Sequence, residues 1–200
     1  MTIPESLQPA IHRVIHKAPF LAHLALALSW EMDPSVDTAC TDGVRVRVNP
    51  VFLERLYAEE QASLLAHEAL HCALRHCARG KRLIQSDADA KRFNIAADIV
   101  VNGALDRAGM TLPTGSIRHR ELEHLSVEEI YEALQSRSSN RSMPGQVGGK
   151  LRDLDIARSS GSSEVLPSES ASIDWNRVIR QAEVLCRMQG GHGSQGLGVR

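Results

Sequence analysis

Residues 63–76 read "SLLAHEALHCALRH", with His67 and His71 four apart and Glu68 directly after the first. The apolar residues around them recur at helical spacing, so the stretch predicts an amphipathic helix over roughly 59–79, closed by Gly80 at its C-cap. On a helix, residues four apart lie one above the other, so both imidazoles can address one point in space. Glu68 falls about 100° further round, near enough to reach a water at that point without being a ligand itself. Two histidines and a carboxylate so arranged are what a hydrolytic zinc site requires, provided a third ligand arrives and one position stays open for water.

That third ligand does not come from the same helix. The longer HExxHxxGxxH pattern fails, because Leu74 and Cys77 stand where glycine and histidine are needed. His76 lies nine residues after His67, about 180° round a regular helix, and is expected to face away. The next helical stretch, about 87–107 and ending near Gly109, contains "NIAADIVVN". Its polar residues Asn94, Asp98 and Asn102 form one stripe at i, i+4 and i+8 in apolar surroundings, and buried polar groups need partners. If the two helices form an antiparallel hairpin through a loop near 80–86, Asp98 returns to the level of the histidines after about 16 Å in each direction. Asp98 would complete a two-histidine, one-carboxylate centre for one zinc ion, with Asn94 and Asn102 behind the ligands.

Upstream, "TDGVRVRVNP" alternates Val44, Val46 and Val48 with Arg45 and Arg47 between Asp-Gly and Asn-Pro turn signals, a short half-buried strand. Helical stretches are expected at 6–17 and 20–31, separated or kinked at Pro19. Ser126 to Glu129, "SVEE", reads as a capping box opening a helix that runs through Leu134. Residues 136–172 are rich in serine, glycine and charge and read as a flexible linker, 173–189 as a C-terminal helix, and 190–200 as a flexible glycine tail. Residues 1–135 then form the principal domain of an α+β, mostly helical chain.

The formal net charge of −1 over 200 residues gives no global attraction to nucleic acid or anionic lipid. A local basic cluster of Arg75, Arg79, Lys81, Arg82, Lys91 and Arg92 raises the alternative of a nucleic-acid-associated peptidase, but such clusters are usually solvated faces and nucleic acid is not expected as a partner. The apolar run "FLAHLALALSW" is too short to span a bilayer, so no membrane is expected. The amino terminus lacks the pattern of a signal peptide, and Cys40, Cys72, Cys77 and Cys186 form no CxxC pair, so a reducing, cytoplasmic location is expected.

With "HEALH" on one helix, "DGVRVRVNP" before it and "FNIAADIVVN" after it, residues 8–135 resemble the zincin metallopeptidases. More narrowly, they resemble the bacterial metallopeptidase domain that usually precedes a von Willebrand factor A-like domain, although no DxSxS pattern is present here. The resemblance implies a zinc site of His67, His71 and Asp98 with Glu68 as general base, and a small sheet packed on the HExxH helix. The spacing of the third ligand in gluzincins would also allow Asn94 at the metal with Asp98 behind it, but Asp98 is preferred because a charged carboxylate binds zinc better than an amide. It also implies an edge strand, here Val44–Val48, that takes an extended peptide or protein substrate. A catalytically silent adaptor in a larger ATPase-linked assembly is the competing expectation.

Overall fold

The computed structural model describes residues 3–138 and 173–188. Of the linker expected at 136–172, residues 136–138 instead end a helix that runs past Leu134, and 139–172 lie outside the described residues, as do the last residue of the expected helix 173–189 and the tail expected at 190–200. Helices α1 (Gln8–Lys17) and α2 (Pro19–Leu26) are separated at Ala18, and Pro19 occupies the first turn of α2, where a missing N–H costs nothing. The helix expected through residue 31 stops early. Residues 29–32 instead form strand β1 (Ser29–Met32), and the Trp30 indole N–H donates to the Ala25 carbonyl at 2.9 Å, satisfying an acceptor at the end of α2.

Strands β2 (Ala39–Thr41) and β3 (Arg45–Val48) join β1 in a sheet of order β1-β3-β2, with β1 parallel and β2 antiparallel to β3. The β2–β3 turn is the "TDG" signal at work: Asp42 Oδ1 accepts from the N–H groups of Val44 and Arg45, and Gly43 sits at φ 98°, where a side chain would be strained. This order corrects the expected edge strand. Of residues 44–48, Arg45–Val48 form the central strand, with Val46–Val48 paired on both sides, so β3 is not an edge that could take a peptide. The Asn49-Pro50 turn signal opens a helix, α3 (Pro50–Arg55), with Asn49 Oδ1 accepting from Phe52 N–H at 3.0 Å.

The helix expected over 59–79 is two. Helix α4 (Ala58–Ala73) ends before Arg75, which adopts a left-handed conformation (φ 58°, ψ 35°), and α5 (His76–Gly80) leaves in a new direction. Helix α6 (Asp87–Arg107) follows, capped by Ser86, whose hydroxyl accepts from Asp89 N–H and donates to its carboxylate. At α7 (Val127–Ser138) the Ser126–Glu129 box forms in both directions, Ser126 N–H to Glu129 Oε2 at 2.8 Å and Glu129 N–H to Ser126 Oγ at 3.3 Å. Helix α8 (Trp175–Met188) lays Trp175, Val178 and Ala182 against α2.

Two apolar clusters result. One gathers α1, α2, the sheet, α4 and α8; the other gathers Cys77, Phe93, Ile99, Leu122, Ile130 and Tyr131 from α5, α6, α7 and the loop between the last two. Helix α6 contributes to both, through Val101, Ala104 and Leu105 on one side and Phe93, Ala96, Ala97 and Ile99 on the other. The architecture is mostly helical with a small three-stranded sheet. No helix among the described residues is long and apolar enough to cross a membrane.

Candidate metal centre

Helix α6 packs against α4, and polar pairs fix their relative direction. Asn102 meets His67 while Asp98 meets His71, so ascending one helix descends the other, as an antiparallel pair requires. His67 Nε2, His71 Nε2 and Asp98 Oδ1 converge: the imidazole nitrogens are 2.8 Å apart, and the carboxylate oxygen lies 3.3 Å from His71 and 3.7 Å from His67. A tetrahedral ion with bonds of ~2.0–2.2 Å separates its ligand atoms by ~3.3–3.6 Å, so the three residues fit such an ion with small adjustments. The His71 side chain is 0 % exposed and that of Asp98 4 %, against 12 % for His67, so the approach from solvent is on the His67 side.

The nitrogens behind the cluster are held as well. His67 Nδ1 lies 3.0 Å from Asn102 Oδ1, and Asn102 Nδ2 donates to the Ile117 carbonyl at 2.9 Å, which fixes the amide so that its oxygen faces the ring. The loop carrying Ile117 is clamped to α6 by Arg118, which donates to both Asp106 and Glu123. Glu123 in turn lies across Gly103, where a Cβ would come within 2.8 Å of its Cγ. A glycine beside Asn102 therefore lets the loop approach close enough to hold a histidine of the cluster.

His76 is the residue that helical geometry misplaced. Because α4 breaks at Arg75, His76 does not face away: its Nδ1 lies 3.0 Å from His71 Nδ1, and it is 0 % exposed. Burial, with Arg79 and then His67, pushes the His76 pKa down to about 3, and burial likewise holds His71 well below the usual histidine range. Both rings are thus neutral, the state in which imidazole binds a metal or accepts a hydrogen bond. Nothing in "HCALRH" marks the break, since neither glycine nor proline is present; a histidine in an apolar run was the sole hint.

Glu68 is fully buried on α4, and its charge is felt at Cys72, whose thiol is pushed up by burial first and by Glu68 among the lesser causes. Cys72 Sγ lies 3.0 Å from Thr41 Oγ1, which anchors β2 to α4. Asn94 is buried one turn before Asp98. Tyr131 donates its hydroxyl to Asp89, nine residues or about 13 Å along α6 from Asp98. In the basic cluster Arg79 is paired with Glu128 and Arg92 with Asp89, which reduces the charge available to a polyanion. Arg45–Val48 lie inside the sheet as β3 and Val44 in the turn before it, and none of them is part of the cluster.

A family model described as "Putative metallopeptidase domain" matches residues 2–194. No curated protein and no solved structure matches the chain.

Proposed function

We propose, for a chain that belongs to the family described as "Putative metallopeptidase domain", that it is a zinc-dependent peptidase hydrolysing peptide bonds of a peptide or protein substrate. The observation that carries this reading is the convergence of two Nε2 atoms and one carboxylate oxygen on one point, with both Nδ1 atoms engaged from behind. His67, His71 and Asp98 would hold one zinc ion, a donor set of two imidazoles and a carboxylate suited to that metal. When bound, zinc supplies a Lewis acid that acidifies water and polarises a carbonyl.

The chain's own residues do the rest. Glu68, one position after His67 and itself fully buried, accepts a proton from water as the water oxygen bonds to the acyl carbon. The C–N bond then breaks, and Glu68 returns the proton to the leaving amine. Asn102 holds His67 in the tautomer whose Nε2 lone pair faces the centre. The substrate carbonyl arrives from the His67 side, because the other two ligands are sealed. The thiol form of the four cysteines suits a reducing compartment such as the cytoplasm.

Elemental analysis of the purified chain tests the reading: one zinc per wild-type chain and none in His67→Ala. Glu68→Gln should keep its zinc and lose about 10²–10⁴ in peptide turnover, the usual contribution of a general base. Cleavage retained in Glu68→Gln removes that residue from the base role, and a wild-type chain without metal removes the zinc.

A further inference from the structure

His76 has no part in the reaction just described, yet the chain makes an unusual arrangement to bring it beside a ligand. We propose that His76 is a positioning residue of the metal centre: its Nδ1 accepts the hydrogen bond from His71 Nδ1–H and so fixes the tautomer and ring plane with which His71 Nε2 faces the ion. The inference rests on the zinc reading above.

The protons decide the direction of that bond. A neutral imidazole carries one proton. If the Nε2 lone pair of His71 faces an ion, the proton must sit on Nδ1, and with the ring 0 % exposed it needs an acceptor inside the protein. His76 Nδ1 stands 3.0 Å away, with the rings at 5.1 Å between centroids and 70° between planes, an edge-on approach that aims one nitrogen at the other. His76 must then carry its own proton on Nε2, and that atom is buried with no hydrogen-bond partner. A leucine or phenylalanine could fill the same space next to Phe93 without stranding a polar atom.

The backbone points the same way. In a continuous helix residue 76 would lie about 140° round from residue 71, out of reach of its ring. The left-handed Arg75, the one non-glycine residue with positive φ among those described, turns the chain so that His76 lands on His71. The two metal-facing histidines are therefore braced by different means, His67 by an amide oxygen tied to a loop and His71 by a second imidazole. A neutral imidazole draws less on the His71 proton than a carboxylate would, so His71 remains a neutral ligand.

The test uses the full chain, zinc titrated against a chromophoric chelator, and the d–d spectrum of the cobalt(II)-substituted protein. His76→Leu should bind zinc about 10–100-fold more weakly and shift the cobalt bands, the range for losing an outer partner of a ligand. His76→Asn, whose Oδ1 takes the place of Nδ1, should recover most of the affinity and the wild-type spectrum. In zinc-loaded wild type, ¹⁵N NMR should show a coupling through the His71 Nδ1–H···Nδ1 His76 bond, a readout that stands even if the leucine variant does not fold. Unchanged affinity and spectrum in His76→Leu, or no such coupling, overturns the proposal while leaving zinc in place. Loss of all metal binding in both variants overturns it by making His76 a ligand. Failure of wild type to bind zinc overturns the zinc reading, and this inference with it.

Discussion

At the scale of single residues, the carboxylate on α6 decides the chemistry. Helical spacing in the sequence was enough to bring Asp98 level with the two histidines, because it depends only on rise per residue and an antiparallel turn. It left open whether Asn94 or Asp98 faces the ion. Asp98→Ala should weaken zinc binding by more than the 10–100-fold typical of an outer partner, whereas Asn94→Ala should leave affinity within a few-fold; the reverse order in a chelator competition would make the amide the ligand. A second carboxylate, Asp89, ties α6 to α7. The Ser86 hydroxyl first, and Tyr131 next, hold its pKa down at about 2. The unfolded chain binds that proton at about 3.9, so the contribution to stability is complete above about pH 4 and fades as pH falls toward 2. The gap in thermal midpoint between wild type and Asp89→Asn should therefore narrow on acidification through that window, and a gap that stays constant contradicts the assignment.

At the scale of elements, what could be read from the sequence was whatever depends on local pattern. The Val44–Val48 alternation, the α4 and α6 periodicities and the Ser126 box are of that kind, and each forms where its own residues dictate. Features set by tertiary contact were not readable. "SWEM" continues an apolar helical run yet becomes β1 because β3 offers it a parallel partner, and the three residues of β2 are too few to carry a period. β2 also covers the edge on which a peptide was expected to dock. The break between α4 and α5 is the most consequential of these, since it converts His76 from a residue facing away into a neighbour of His71. An L-residue in the left-handed region costs roughly 1–2 kcal/mol. Arg75→Gly should hold or slightly raise the melting temperature with zinc affinity unchanged. Arg75→Val, β-branched and poorly tolerated there, should lose about 1 kcal/mol or more and weaken zinc binding as His76 is displaced. A valine variant as stable as wild type would show that the left-handed turn is not required.

At the scale of the whole molecule, the centre lies where two apolar clusters share α6. One cluster holds α4 and its histidines against α1, α2 and the sheet; the other holds α5, α7 and the start of α6, and with them His76. The Arg118 clamp brings the loop after α6 down onto Asn102. The two clusters thus bring α4, α6 and α5 together, so that short motifs on neighbouring helices set three candidate ligand atoms and two supporting groups around one point. The most direct test is anomalous diffraction at the zinc absorption edge from crystals of the full chain grown with zinc. A single peak about 2.0–2.2 Å from His67 Nε2, His71 Nε2 and Asp98 Oδ1 is the predicted result. A difference map with no peak among those atoms, or a peak bound elsewhere with the Asp98 side chain turned away from both rings, would contradict it.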